Sequence, residues 1–252
     1  IKGKAERKAT TALKERIARL TENLLSVKEE IASMEKCLAE ANRLYGNMKN
    51  PVGGGTDKIV LSEYQQVAFD GIMDAFRRKK TVLLHGVTGS GKTEIYTKLA
   101  ARTLAEGRNV LYLVPEIAVS RQLEERIASS VGHELLVFHS GETSATRNAT
   151  AEAIRKCAAD GNTYMVLGTR SSLFLPHNRL GLVIVDEEHD RSYKQDSPAP
   201  RYNGRDSAIM LAAIHGSNVI LGSATPSLES LFNVKYGKFE AVRLEKRFYN
   251  SE

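Results

Sequence analysis

Leu83-Leu84-His85-Gly86-Val87-Thr88-Gly89-Ser90-Gly91-Lys92-Thr93 decides how this chain is read. The apolar and β-branched residues from Thr81 to Leu84 predict a buried strand, and Glu94 to Ala105 predict a helix. Between them lies Gly86-x-x-x-x-Gly91-Lys92-Thr93, a phosphate-binding loop in the strand–loop–helix order it needs. Gly86, Gly89 and Gly91, with Thr88 and Ser90, let the backbone wrap an anion so that successive N–H groups and the helix N-terminus point at it. Lys92 is expected to reach the β- and γ-phosphates, and the Thr93 hydroxyl to ligate Mg²⁺. The cofactors predicted are therefore ATP and Mg²⁺.

Outward from this loop, apolar runs alternate with helical patterns. Upstream, Ser62 is read as the N-cap of a helix over 63–78, with Gln65 or Gln66 in its first turns. Downstream come strands over 109–114, 135–138, 164–167, 182–185 and 218–221. Helices are read over 119–130, 145–159, 205–215 and 227–235. Near-continuous apolar strands alternating with helices mean an α/β fold with a mostly parallel sheet covered on both faces. Ligands in such sheets bind beyond the carboxyl ends of the strands. Pro115-Glu116, Gly168-Thr169-Arg170, Asp186-Glu187 and Ser223-Ala224-Thr225 all fall there.

Leu182-Val183-Ile184-Val185 delivers Asp186-Glu187-Glu188-His189 to that edge. Asp186 is expected to hold the water shell of the Mg²⁺, and Glu187 to polarise the water that attacks phosphorus. Phosphoryl transfer rests mainly on such positioning and charge stabilisation.

The chain has 252 residues, 42% of them hydrophobic, enough for one sizeable core and an appendage. No run approaches the ~18–20 apolar residues of a membrane span, and no signal peptide opens the chain. It begins at Ile1, which reads as a piece of something longer. Cys37 and Cys157 stand far apart, so zinc is not expected and a reducing cytoplasm fits. The formal charge is +6, but residues 1–50 hold 11 Lys/Arg against 7 Glu. That leaves 25 basic against 23 acidic side chains elsewhere, so a polyanion contact on the main domain should be local.

Residues 1–50 read as one long helix. Leu13, Ile17, Leu20, Leu24, Val27, Ile31, Met34, Leu38, Ala41 and Tyr45 alternate spacings of four and three, a heptad. Such a stripe needs cover, from self-association as a coiled coil, from a partner helix, or from the globular domain. Residues 51–57, with Pro51 and Gly53-Gly54-Gly55, read as a flexible linker, and 58–252 as the globular domain.

Asp186-Glu187-Glu188-His189 resembles the DExH box of superfamily 2 helicases. The run from Asp186 to Gln195 is similar to the PriA family of replication-restart helicases. So are Gly86–Glu94, Leu113–Ile117, His139-Ser140, Gly168–Ser171 with Leu173–Pro176, and Leu221–Glu229. The motifs follow the family's order across residues 60–245. The resemblance implies a RecA-like P-loop NTPase lobe, the first of two, in a 3′→5′ DNA helicase that assembles the primosome at stalled forks. It implies that Gln65 reads adenine and that His189, Ser223 and Thr225 couple hydrolysis to DNA. Pro115, Glu116, Thr169 and Arg170 would grip a single strand, Tyr193 and Tyr202 would stack on bases, and Lys194, Arg201 and Arg205 would face phosphates. Partners implied are forked or single-stranded DNA, primosome proteins and single-stranded DNA-binding protein, with no membrane.

The family's loop around Tyr193–Arg205 can carry a Trp, and this chain has none. Only 27 residues follow Thr225, too few for a second lobe, and two cysteines cannot form the family's zinc module. The isolated lobe is accordingly expected to hydrolyse ATP weakly or not at all. Competing readings are another superfamily 2 translocase, such as a restriction motor or an RNA helicase, and a non-catalytic ATP-binding scaffold acting through the coiled coil.

Overall fold

The computed structural model describes residues 59–244, apart from 117–119, 132, 140, 142 and 198. The heptad-patterned segment and the linker lie outside the described residues.

Seven strands form the sheet: β1 (Thr81–Gly86), β2 (Asn109–Leu113), β3 (Glu134–Phe138), β4 (Tyr164–Gly168), β5 (Leu180–Val185), β6 (Asn218–Ser223) and β7 (Phe239–Leu244). Their order is β3-β4-β2-β5-β6-β1-β7, and every neighbouring pair is parallel. The helices are α1 (Glu63–Arg77), α2 (Lys92–Ala105), α3 (Arg121–Val131), α4 (Ser144–Ala159), α5 (Gly204–His215) and α6 (Leu228–Lys235).

The strands are apolar on both sides because both faces of the sheet are covered. Val82, Leu84, Val110, Tyr112, Leu182 and Ile184 pack with Phe69 and Ile72 of α1, Ile95 and Leu99 of α2 and Ile127 of α3. The alternate residues Leu83, Leu111, Leu113, Val183 and Val185 pack with Ile154 of α4 and Ala208 and Ala212 of α5. Each such aliphatic side chain contributes about 1.5–3 kcal/mol on full burial, so the sheet is a stiff platform for what its edge carries.

Register then fixes the site. Leu113 stands opposite both Gly168 and Val185, Val185 opposite Leu221, and His85 opposite Ser223. Strands level at that end deliver Pro115, Thr169, Asp186, Ser223 and the loop after Gly86 to one edge.

Three details depart from the reading of the sequence. Helix α2 begins at Lys92, two residues before Glu94. Strand β7 was not anticipated: it is an edge strand carrying Glu240 and Arg243, half exposed, with no apolar run to betray it. Short 3₁₀ turns at Arg170–Phe174 and Arg191–Tyr193 have no counterpart among the elements read from the sequence. Among the described residues no helix is long and apolar enough to cross a membrane.

Candidate nucleotide and nucleic-acid site

The loop between β1 and α2 turns through Ser90, whose N–H donates to the Val87 carbonyl at 3.1 Å. Gly89 and Gly91 sit at φ 77° and 82°, backbone that glycine adopts without strain. A Cβ on Gly91 would also lie 2.2 Å from Nε2 of Gln65. No side chain caps the N-terminus of α2. Its first N–H groups and the positive end of the helix are therefore free to take an anion. The Ser90 hydroxyl is buried with no hydrogen-bond partner among the described residues, a second donor the loop leaves unspent.

Lys92 is buried and donates through Nζ to the Gly86 carbonyl at 2.9 Å, with Glu187 Oε1 3.5 Å away. Thr88–Glu94, Arg126, Asp186 and Glu187 line one cleft of about 310 Å³. The phosphate loop and the acidic pair thus meet although 93 positions separate Lys92 from the start of that pair.

Asp186 is held from four sides. Tyr96 donates to Oδ1 at 3.3 Å and Tyr112 to Oδ2 at 3.2 Å. The Glu187 N–H donates to Oδ1 at 3.0 Å, and the Tyr193 hydroxyl reaches the Asp186 carbonyl at 2.7 Å. Tyr112 also lies within hydrogen-bonding reach of Thr93. Tyr96 and Tyr112 meet edge-on at 5.6 Å, and Gly222 admits Tyr96, since a Cβ there would sit 1.6 Å from its oxygen. Burial, then the neighbouring Glu187 charge, push the Asp186 carboxyl up to about 6, against the pull of Lys92.

That shift gives a pH prediction. A raised native pKa means the folded state holds the proton longer than the unfolded chain. Without ligand, stability from this group is present at pH 4 and is lost as pH rises through 6, by up to about 3 kcal/mol. Thermal melts should show Asp186→Asn nearly level with the natural protein at pH 4 and more stable above pH 7. Equal melts across the range would contradict the buried, raised carboxyl.

Glu187 adopts φ 45°, left-handed backbone for a residue with a side chain, which costs on the order of 1 kcal/mol or more. The Glu188 N–H to the Gly222 carbonyl at 2.9 Å and the Asp190 N–H to the Glu187 carbonyl at 2.8 Å hold it there. Its carboxylate lies between Lys92 and His189, 3.7 Å from His189 Nδ1. His189 in turn meets the Ser223 hydroxyl at 2.7 Å and the Thr225 hydroxyl at 3.1 Å. A continuous polar path therefore runs from the cleft to the end of β6.

Several residues stand elsewhere than expected. Gln65, read as the adenine contact, is buried. Its amide accepts from the Ser62 N–H at 2.9 Å and donates to the Gly91 carbonyl at 3.1 Å, bracing the phosphate loop instead. Tyr193, read as a base-stacking residue, is only 2% exposed and has no face to offer a base. Arg205, read as a phosphate contact, is buried against Glu188 at 3.1 Å and bonds Asp206 at 2.9 Å. Its charge is spent inside the lobe. Glu188, which sequence reasoning passed over, also accepts from the Ser227 N–H at 2.7 Å and the Ser227 and Ser230 hydroxyls at 2.9 and 3.0 Å. Its place in the acidic run was the available signal. Tyr96 and Tyr112 were missed too, because buried tyrosines in apolar runs look like core.

Among the residues expected to grip a strand, Thr169 is buried and Arg170 opens the 3₁₀ turn after it. Arg170 bonds the Ser192 carbonyl and lies 3.7 Å from Glu116, which ties the ends of β2 and β4 to the segment after β5. Pro115 is buried beside Glu116. Tyr202 is half-buried, meeting the exposed Phe174 edge-on at 5.1 Å. Lys194 is exposed and 3.4 Å from Asp196, and Arg201 is exposed.

The donor set fits Mg²⁺ and a nucleotide. A carboxylate accepts about four hydrogen bonds or ligands, and Asp186 spends two on Oδ1 but only one on Oδ2. Mg²⁺ commonly takes one or two protein oxygens and keeps several waters, which Asp186 with Thr93 would supply. Uncapped amides, the unspent Ser90 hydroxyl and the buried Lys92 suit a phosphate chain.

Residues 58–228 match the family described as type III restriction enzyme, res subunit. Curated relatives include three proteins named replication restart protein PriA. That of Rickettsia prowazekii (strain Madrid E) is 42% identical over 190 residues, 75% of this chain and 28% of its own length. That of Haemophilus influenzae (Rd) is 42% identical over 224 residues, 88% of this chain and 29% of its own. That of Bacillus subtilis (strain 168) is 39% identical over 194 residues, 76% and 24%. The chain thus spans about a quarter of the length of such relatives. Among solved structures, the Pyrococcus furiosus Hef helicase domain aligns at TM-score 0.53 and 17% identity, covering 75% of this chain and 39% of that one. RecG bound to a three-way DNA junction aligns at 0.52 and 19%, covering 84% and 26%. These two share the RecA-like fold. The chain belongs to the family described as type III restriction enzyme, res subunit, and its motifs and curated relatives ally it with the PriA replication-restart proteins.

Proposed function

We propose that the chain is the first motor lobe of an ATP-dependent 3′→5′ DNA helicase of replication restart, binding ATP–Mg²⁺ and the backbone of a single strand. One observation carries the reading: Lys92, Asp186 and Glu187 share a cleft with an uncapped helix N-terminus, and His189 links that cleft to Ser223 and Thr225. When bound, ATP–Mg²⁺ supplies the phosphoryl group and a cation that offsets its charge. The amides from Gly89 to Thr93 hold the phosphate oxygens, with Gly86 admitting Lys92 and the loop wall completed by Thr88 and Ser90. Thr93 and Asp186 would hold the Mg²⁺. Glu187 stands to accept the proton of the attacking water at its carboxylate. His189 reports the state of Glu187 to the Ser223–Thr225 turn.

In this reading residues 58–252 are the motor lobe, 51–57 its linker, and 1–50 a separate segment. Glu116, Thr169, Arg170, Lys194, Arg201 and Tyr202, with Pro115 shaping the turn, contact the strand. Primosome proteins and single-stranded DNA-binding protein are the expected partners, in the cytoplasm. A second lobe would bring the arginine that stabilises the transition state, worth on the order of 10³–10⁵ in rate. These 252 residues alone should therefore bind nucleotide and turn it over slowly.

The family description keeps a restriction-type motor as the second reading. Binding to forked DNA, duplex DNA and RNA over a salt series separates the cases, since phosphate contacts make every affinity fall with salt. Preference for the fork is expected. Preference for RNA would overturn the restart assignment.

A further inference from the structure

The geometry points to Arg126 as a second cationic ligand for the phosphate chain of the nucleotide, supplied by this lobe and held in reserve by Glu94. The inference rests on the cleft being the nucleotide site proposed above. Arg126 belongs to α3, outside every motif read from the sequence, yet it lines the same cleft as Lys92, Asp186 and Glu187. Its neighbour Ile127 is fully buried under the sheet, which fixes the helix and aims position 126 along the face towards α2. The guanidinium pairs with Glu94 in the first turn of α2, 32 positions away in sequence.

The charge balance of the cleft explains why such a cation matters. Its lining carries three carboxylates, Glu94, Asp186 and Glu187, against two cations, Lys92 and Arg126. Lys92 is committed, with the Gly86 carbonyl at 2.9 Å and Glu187 at 3.5 Å. Arg126 is different: its side chain is 54% exposed, and its partner Glu94 lies in the same cleft rather than inside the core. Glu94 stands directly after Thr93, so its charge lies beside the phosphates the loop would hold. A polyanion arriving there repels Glu94 and competes for the guanidinium, whose planar fork matches phosphate oxygens. By contrast, Arg121 pairs with Glu125 on the open surface of the same helix, at 3.1 Å and one turn away. Neither residue of that pair lines the cleft that holds Lys92.

The two partners should then act with opposite sign. Titration of the 252-residue chain with Mg–ADP is expected to show Arg126→Ala weakening binding about tenfold, and Arg126→Glu weakening it further. Glu94→Gln should tighten binding several-fold, because it removes a like charge and frees the guanidinium. The Arg126→Ala loss should shrink at high salt. Arg126 is exposed, so melting curves of the variants should match that of the natural chain. Unchanged affinity in Arg126→Ala, in a chain that does bind Mg–ADP, would overturn the inference while leaving the nucleotide site intact. So would equal weakening by Arg126→Ala and Glu94→Gln, the mark of a merely structural pair. Failure of the natural chain to bind Mg–ADP would overturn both.

Discussion

Lys92→Ala is expected to weaken nucleotide binding by about ten- to a hundredfold, the loss of about 1.5–3 kcal/mol that goes with one charge-assisted phosphate contact. The size follows from where the amine sits. It is buried, it arches back to the Gly86 carbonyl, and it is the cation that faces Asp186 and Glu187 from inside the loop. Removing it takes away the phosphate contact and leaves two carboxylates facing each other. Asp186 should then rise above its value of about 6, because Lys92 is the largest of the influences that pull it down. The variant should stay folded, since Lys92 contributes little apolar burial beside Ile95, Tyr96 and Leu99 on the same helix. Calorimetric titration with Mg–ADP, beside a melting curve, separates lost binding from lost fold.

Glu188→Ala should do the opposite, harming the fold more than the cleft. Its side chain is fully buried and receives Arg205, Ser227 and Ser230 together. Truncating one partner of a buried ion pair strands the other, at a cost of about 3–5 kcal/mol. For a domain of this size that is a fall in Tm of about 10 °C. Arg205→Ala should cost a comparable amount. The double variant should cost clearly less than the two single losses together, because each single change already breaks the same network. Additive losses in melts of the three variants would contradict the pairing. The network matters beyond stability, because it anchors Glu188 next to the left-handed Glu187 and joins the acidic run to the caps of α5 and α6.

The same two regions show what the chain made legible and what it hid. The phosphate loop and the acidic run lie at strand ends and carry residue types with one chemical use, so their convergence is legible in the sequence. The sheet followed from its apolar strands. Strand β7 did not, because an edge strand with Glu240 and Arg243 has only a faint alternation. Arg205 and Tyr193 were read as nucleic-acid contacts because loops rich in Arg and Tyr suit that task. Their burial depends on Glu188 and on the Asp186 carbonyl, partners 17 and 7 positions away whose approach no local pattern announces. For Gln65 the sequence settles neither the capping box nor the contact with Gly91 that both claim its amide. Arg126 lacked any local signal, since its pairing with Glu94 arises only when α2 and α3 pack side by side.

The most direct test of the account is a titration of the natural chain and its Lys92→Ala variant with Mg–ADP, both confirmed folded. The account predicts a saturable one-to-one isotherm for the natural chain and a loss of at least tenfold in the variant. No binding by the natural chain, or equal affinity in both, would contradict the claim that the loop from Gly86 to Thr93 is a nucleotide site.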